Sequence, residues 1–391
     1  MTGPKADPNG ALPTGETPLM IAARNGSLPS LKALLTAGAN LKAAEPNQRQ
    51  TALMWAAAEG HTSAVELLLE FGADLTANSK GGFTPLLFAV REGRQETAAL
   101  LLRKGANVND ALPASTRGRR GPATEGQKAT GPAPLDLAVA NAHFELAAML
   151  LDAGADPNGS GPGWTALHTI TWIRKPGTGS NNPAPPGSGK MDSLELVRRL
   201  VAKGANLNAR MTRRTNAGLS SLNMVGATPF LMAARTGDAE LMRLLAQLGA
   251  DPRMFTVEGS TPLMVAAGLG TRTPGEDAGT EEEALEAVQV ALELGNDVND
   301  IDSNNETALH GPAYKHMPSV AQFLIEHGAK VEVFNRKNSH GWTPLRIAEG
   351  VHRGMNLHRS PAVAAVLRKA MSAAGVSIEV EPEINVSGAT R

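Results

Sequence analysis

A Thr-Pro-Leu-like tripeptide occurs nine times in 391 residues, and one helical hairpin later each copy is followed by a Gly-Ala-(Asp/Asn)-x-Asn-like stop. The tripeptides stand at Thr17, Thr51, Thr84, Ala133, Thr165, Thr228, Thr261, Thr307 and Thr343, and the stops begin at Gly38, Gly72, Gly105, Gly154, Gly204, Gly249, Gly295, Gly328 and Gly375. Steps from 17 to 51, 51 to 84 and 228 to 261 give a period of 33 to 34 residues. A unit of this size cannot bury its own apolar face, so stacked neighbours must share one core.

Each unit reads as a β-turn, a short helix, a turn and a second helix. A threonine such as Thr17 or Thr84 caps the first helix, and Pro18 or Pro85 suits a first turn that needs no amide hydrogen. Small pairs such as Ala56-Ala57 and Ala233-Ala234 let helices approach closely, while Leu34-Leu35, Leu68-Leu69, Leu101-Leu102 and Leu150-Leu151 mark the second helix. The stop glycine then suits a left-handed C-terminal cap. Two residues before the threonine site, Gly15, Gly82, Gly131, Gly163, Gly226, Gly259 and Gly341 suit a tight turn. Asn305 substitutes there readily, whereas Arg49 is a poor fit.

This period and the nearly complete Thr-Pro-Leu-His-x-Ala motif resemble ankyrin-repeat proteins over almost the whole chain. Bacterial members are included in the resemblance. It implies an all-α fold with short β-turn fingers, an ankyrin solenoid of about nine repeats. Residues 15–375 are assigned to the solenoid, 1–14 to the tail of a preceding repeat or a disordered segment, and 376–391 to a C-terminal tail. Ala6-Asp7-Pro8-Asn9 copies the stop at Ala155-Asp156-Pro157-Asn158, which motivates the first of those tails. A polar last helix, Pro361 to Ala374 with Arg368-Lys369, reads as a cap, and Val376 to Val380 alternates enough for a short edge strand. Stacking predicts an elongated monomer of roughly 90 Å at about 10 Å per repeat.

Aromatic residues are only 3% of the chain, which suits short packed helices. The net charge of −1 offers no bulk attraction to nucleic acid or membrane. With no cysteine there are no disulfides, thiolate zinc sites or thiol nucleophiles, and no cofactor or metal is expected. Neither an 18-residue apolar run nor a leader is visible at Met1, and the compartment stays open because the start resembles the tail of an earlier repeat.

Five insertions break the period. Residues 110–130 and 210–223 lie on the finger side, and 174–190, 271–281 and 351–358 lie between the two helices of a repeat. The finger insertions are basic, through Arg117, Arg119, Arg120 and Lys128 in one and Arg210, Arg213 and Arg214 in the other. The insertion around Glu276-Asp277 is acidic, and Glu281, Glu282, Glu283 and Glu286 suit the N-terminus of the following helix. Residues 174–190 carry Pro176, Pro183, Pro185 and Pro186 and read as an extended loop.

Gly187-Ser188-Gly189-Lys190-Met191 imitates a phosphate loop, but Ala184 and Met191 stand where a glycine and a magnesium-binding hydroxyl are required. His61, His143, His168 and His310 occupy positions where ankyrin repeats use imidazole to support turns, and the remaining histidines lack metal-ligand spacing. No nucleophile elbow is present, and no catalytic residue is assigned.

The resemblance places Trp164 and Trp172 in the variable, ligand-facing set of ankyrin proteins, together with Phe83, Arg91, Glu92, Arg235, Tyr314, Lys315 and Trp342. Trp55 falls at the core-facing position shared by Ile21, Phe88 and Ile347 and is read as structural. The expectation is a non-catalytic scaffold that docks a protein partner of unknown identity on a concave face, with the fifth repeat as its centre. The alternative is an accessory ankyrin module of a larger exported enzyme or electron-transfer system.

Overall fold

The computed structural model describes residues 7–114, 130–177, 184–213, 222–272, 274–275, 277–353 and 356–377. Among these the chain is helical, with nine helix pairs. The first four are α1 (Pro18–Arg24) with α2 (Leu28–Thr36), α3 (Ala52–Glu59) with α4 (Thr62–Glu70), α5 (Pro85–Arg91) with α6 (Gln95–Arg103), and α7 (Pro134–Ala140) with α8 (Phe144–Asp152). Next come α9 (Ala166–Arg174) with α10 (Ser193–Ala202), α11 (Pro229–Arg235) with α12 (Ala239–Gln247), and α13 (Pro262–Ala266) with α14 (Glu281–Glu293). The series closes with α15 (His310–Lys315) and α16 (Pro318–Glu326), a one-turn α17 (Val331–Phe334), and α18 (Pro344–Gly350) with α19 (Pro361–Ala373). This is the all-α ankyrin solenoid fold.

The chain forms two compact units, Met1–Thr169 with Pro185–Ala205, and Ile170–Ala184 with Asn206–Arg391. In the first, α1, α3, α5 and α7 pack in one row, α2, α4 and α6 pack in a second, and α8 carries α10. In the other, α11, α13, α15 and α18 pack in one row and α12, α14, α16 and α19 in the second.

The leucine of the repeated tripeptide drives this packing. Leu19, Leu53, Leu86, Leu135, Leu167, Phe230, Leu263, Leu309 and Leu345 are all buried, as are the alanines that face them. Thr17, Thr51, Thr84, Thr228, Thr261 and Thr343 each accept the N–H of the residue three positions on, closing the helix start. Gly105 ends α6 at φ +99, where an added Cβ would meet no neighbour, so its requirement is conformational. Gly93 is different, because a Cβ there would lie 2.7 Å from the His143 ring.

Asparagines join successive repeats. Asn109 donates through Nδ2 to Gly154 O at 3.2 Å and accepts Asp156 N–H through Oδ1 at 2.8 Å. Asn299 does the same with Gly328 O and Lys330 N–H, and Asn9 with Gly38 O and Asn40 N–H. Asn158 donates to Gly204 O, and Asn208 accepts Asp251 N–H. Neighbouring fingers add backbone bonds, Lys80 N–H to Gln48 O and Ser303 N–H to Glu258 O.

Arg49, a poor fit for the turn, takes the left-handed conformation after all, at φ 57. The finger is held by Glu45, whose buried carboxylate accepts the N–H groups of Asn47, Gln48 and Gln50 at 2.7 to 3.1 Å. Leu31 of α2 is fully buried, while Leu28 stays exposed. The 351–358 insertion contains an antiparallel pair, β1 (Val351–Arg353) and β2 (Asn356–His358). No helix of the described residues is long and apolar enough to cross a membrane. Arg117, Arg119, Arg120, Lys128, Pro183, Arg214, Glu276 and residues 378–391 lie outside the described residues.

Candidate partner-binding surface

In the first unit, Phe83, Arg91 and Glu92 come together. Phe83 sits on the finger before α5, with its N–H on Ser79 Oγ, and its ring lies 5.2 Å from Phe88. The Arg91 guanidinium is 5.1 Å from both ring centroids, and its Nε donates to Glu92 Oε1 at 2.7 Å. Both ends of that ion pair remain about 40% exposed, at 41% and 40%.

A second arrangement of the same kind stands two repeats away. The Arg24 guanidinium covers the Trp55 ring at 5.3 Å and pairs with Glu16 at 3.3 Å. Trp55 is half-buried, and its Nε1–H is shielded from solvent with no acceptor. Sequence reasoning assigned it to the core because Phe88 and Ile347 share its position. The missed signal was the arginine at the seventh position after the threonine, present in both Arg24 and Arg91.

The backbone beneath these arginines is fixed from the next repeat. His61 Nε2–H donates to Arg24 O at 2.9 Å, Arg94 Nε to Ala58 O at 2.9 Å, and His143 Nε2–H to Arg91 O at 3.2 Å. The His143 Nδ1 accepts the Ser188 hydroxyl at 2.8 Å, so the glycine-rich stretch around Ser188 packs against the fourth repeat. There Glu145 accepts the Lys190 N–H at 2.7 Å, putting a carboxylate where a phosphate loop would need an anion-free cradle.

In the second unit two of the candidates are interior residues. Tyr314 is 0% exposed: its hydroxyl donates to Glu306 Oε1 at 2.9 Å, and Asn338 Nδ2 bonds both oxygens. His358, at the end of β2, bonds Tyr314 O and packs edge-on against its ring. Lys315 is 8% exposed, and its ammonium donates to Ala278 O at 2.6 Å. Burial pushes Lys315 down to about 8; Asp277 and Glu283 oppose the shift and Arg235 adds to it. Neither side chain can reach a partner, because the insertions cover α15, and both are withdrawn from the surface.

The start of the 174–190 insertion meets α12 and α14. Arg174 forms a fork with Asp238, at 2.6 and 3.2 Å, and reaches Glu240 at 2.9 Å. Lys175 pairs with Glu283, which also completes a capping box with Thr280 at the start of α14. Arg174 and Lys175 thus form one clasp with α12 and α14 within the second unit. Arg235, at the end of α11, is half-buried.

Trp164 stands half-buried in the first unit and Trp172 half-buried in the second. Trp342 is half-buried on the finger before α18, stacked on His340 at 4.9 Å. No group of three or more metal-ligating side chains converges among the described residues.

A family model of ankyrin repeats in three copies matches residues 19–111, and a single ankyrin-repeat model matches residues 131–160. The chain is an ankyrin-repeat protein. Both matched stretches belong to the first unit of this ankyrin protein. It is 44% identical over 63 residues to palmitoyltransferase AKR1 of Lachancea kluyveri, and 46% identical over 74 residues to the ankyrin repeat and KH domain-containing protein mask of Drosophila melanogaster. It is 40% identical over 96 residues to the probable E3 ubiquitin-protein ligase XBOS31 of Oryza sativa subsp. japonica. These matches take in 16%, 19% and 24% of the ankyrin chain and span only 8%, 2% and 22% of the respective relatives. Those three relatives are eukaryotic. The human ASB11 ankyrin repeat domain aligns with 72% of this chain and 99% of its own at 22% identity, with a TM-score of 0.49.

Proposed function

We propose that this ankyrin protein is a non-catalytic scaffold that docks a protein partner on a concave face of first helices and finger tips. The supporting observation is the pair of arginines stacked on aromatic rings, Arg91 on Phe83 and Phe88 and Arg24 on Trp55, each anchored from below yet about 40% open to solvent. Arginine and aromatic side chains carry most of the energy in protein interfaces, and a side chain already held in place loses less entropy on binding. Trp164, Trp172, Arg235 and Trp342 are proposed as further contacts, each within its own unit.

The reading is tested by F83A/R91A, measured for affinity to a captured partner and for thermal unfolding in parallel. A loss of about 2 kcal/mol or more in binding with a near-constant Tm is expected. Unchanged affinity would remove this surface from the interface. W164A and W172A are measured singly in the same way, because a large fall in Tm without a change in affinity would make either tryptophan structural.

A further inference from the structure

We infer that the β1–β2 hairpin is an acid-released latch on α15, held there by His358 and His316 and opened when these two imidazoles take up protons. Such a latch acts within the second unit and is independent of partner binding by the first. β2 packs on α15, and both strands pack on α18. The grip on α15 is His358, which is 0% exposed: its Nδ1 lies 2.9 Å from Tyr314 O, and its ring stands edge-on to the Tyr314 ring at 5.6 Å. A carbonyl oxygen only accepts, so Nδ1 carries the hydrogen of the neutral ring and an added proton goes to Nε2, which is shielded from solvent. The His316 ring lies 6.1 Å from that of His358, and its own Nε2 is shielded and has no hydrogen-bond partner.

A cation on either ring is therefore formed away from water, and a second one forms beside the first. The carboxylates nearby are engaged elsewhere. Glu306 is buried and takes the Tyr314 hydroxyl and Asn338 Nδ2, Glu349 of α18 pairs with Arg368 of α19, and Glu326 of α16 is exposed and accepts from Gln322. The other titratable or charged groups on the surrounding elements add positive charge or none. Lys315 of α15 donates to Ala278 O, and His310 of the same helix accepts the Thr307 N–H. His327, after α16, stacks on Phe323. α18 carries Arg346, α19 the exposed Lys369, the hairpin His352 and Arg353, and Arg359 follows it. Burial first, and then the charge of His358, hold His316 below the usual imidazole value of 6.5.

The sign of the linkage follows. A released hairpin returns both imidazoles to water and to their ordinary affinity for protons, so docking is fully favoured above pH 6.5 and weakens as pH falls below it. Each imidazole that titrates only in the released state shifts the balance about tenfold between pH 7.5 and 5.5. Release uncovers Tyr314, which stands seven positions after Thr307 as Arg24 and Arg91 do after Thr17 and Thr84. A covered repeat thereby becomes an open one.

The test uses the full chain with a 13C label on the tyrosine ring. Tyr314 is the one tyrosine of the sequence, so the label reports a single site. From pH 7.5 to 5.5 its signal is expected to move toward that of a solvent-exposed tyrosine, with the docking constant falling about tenfold or more, while the helical circular dichroism stays constant. His358→Phe keeps an aromatic edge for Tyr314, and His316→Asn suits the left-handed backbone at φ 63, so the double variant should hold its signal unchanged over the same range. An unmoved Tyr314 signal in the parent, an equal movement in the double variant, or a loss of helical signal in step with Tyr314 would overturn the inference. Should the double variant fail to fold, His316→Asn is measured alone, and an acid response as large as that of the parent would overturn it equally.

Discussion

Asp136 accepts the backbone N–H of Ala133 through Oδ2 at 2.9 Å, and by doing so takes over a task that histidine performs in two other repeats. His168 accepts the N–H of Thr165 at 3.2 Å, and His310 that of Thr307 at 3.0 Å, both through Nδ1. The fourth repeat has alanine in place of the capping threonine, and Asp136 supplies the acceptor that histidine supplies in the fifth and eighth. That carboxyl is buried, and burial raises it to about 7, with the Ala133 N–H opposing and the charge of Asp156 adding to the shift.

The raised value gives a pH prediction. Folded protein binds the Asp136 proton more tightly than unfolded chain between pH about 4 and 7, so stability falls as pH rises through that window and the loss is complete above it. The cost at pH 8 is on the order of 4 kcal/mol before compensation by neighbours. Asp136→Asn keeps an acceptor without a charge, so its denaturation midpoint should exceed that of the parent at pH 8 and converge with it near pH 4. Parallel pH profiles for the two proteins would reject the assignment.

Lys315 behaves in the opposite sense. Its folded value of about 8 lies below the 10.5 of the open chain, so the unfolded state binds more protons between those values and stability rises with pH across them. Lys315→Met should therefore stabilise the protein at pH 7, by on the order of 3 kcal/mol less the lost bond to Ala278 O, and the advantage should shrink toward pH 10.5. Urea titrations at the two pH values measure it.

The clasp between Arg174 and the start of α12 should be strongly coupled. Asp238 has a 2% exposed side chain, pairs with Arg174 and caps α12 through the Leu241 N–H. Removing one partner of a buried pair costs about 3 to 5 kcal/mol. Asp238→Ala should lose more than Asp238→Asn, which retains the cap, and a double-mutant cycle with Arg174→Ala should return a coupling well above the median for exposed pairs, about 1 kcal/mol. Additive effects would mean that the fork contributes nothing.

The first repeat should open before the sixth. α2 leaves Leu28 40% exposed and finds its neighbours in α1 and α4, whereas α12 packs against α11 and α14 with Leu241, Met242 and Leu245 buried. Amide exchange should be faster over residues 15–37 than over 228–250, and equal or greater protection of the earlier segment would contradict this.

What could be read from the sequence was local. A capping Thr84, a buried Leu86 and a left-handed Gly105 each answer to contacts within one turn or one neighbouring helix, and the structure places them so. Tyr314 and Lys315 stand at positions that the resemblance assigned to the surface, but His358 and Ala278 of the two insertions pack on them and Glu306 and Asn338 hold the Tyr314 hydroxyl. Charge alone could not show that Lys175 would meet Glu283, 108 residues away. Trp55 shares the position of the buried Phe88 and Ile347, but it is half-buried, with Arg24 from the preceding repeat lying across its ring.

The asparagine joints carry a consequence for how such a chain can change. Asn109, Asn299 and Asn9 bond to a carbonyl and an N–H of the following repeat, groups that every residue type at those places supplies for the carbonyl and all but proline for the N–H. The joint is therefore indifferent to the side chains it fastens. A repeat can be duplicated, exchanged or lengthened by a loop and still be gripped by the one before it, which makes the joint a universal coupling and leaves the outward residues free to diverge.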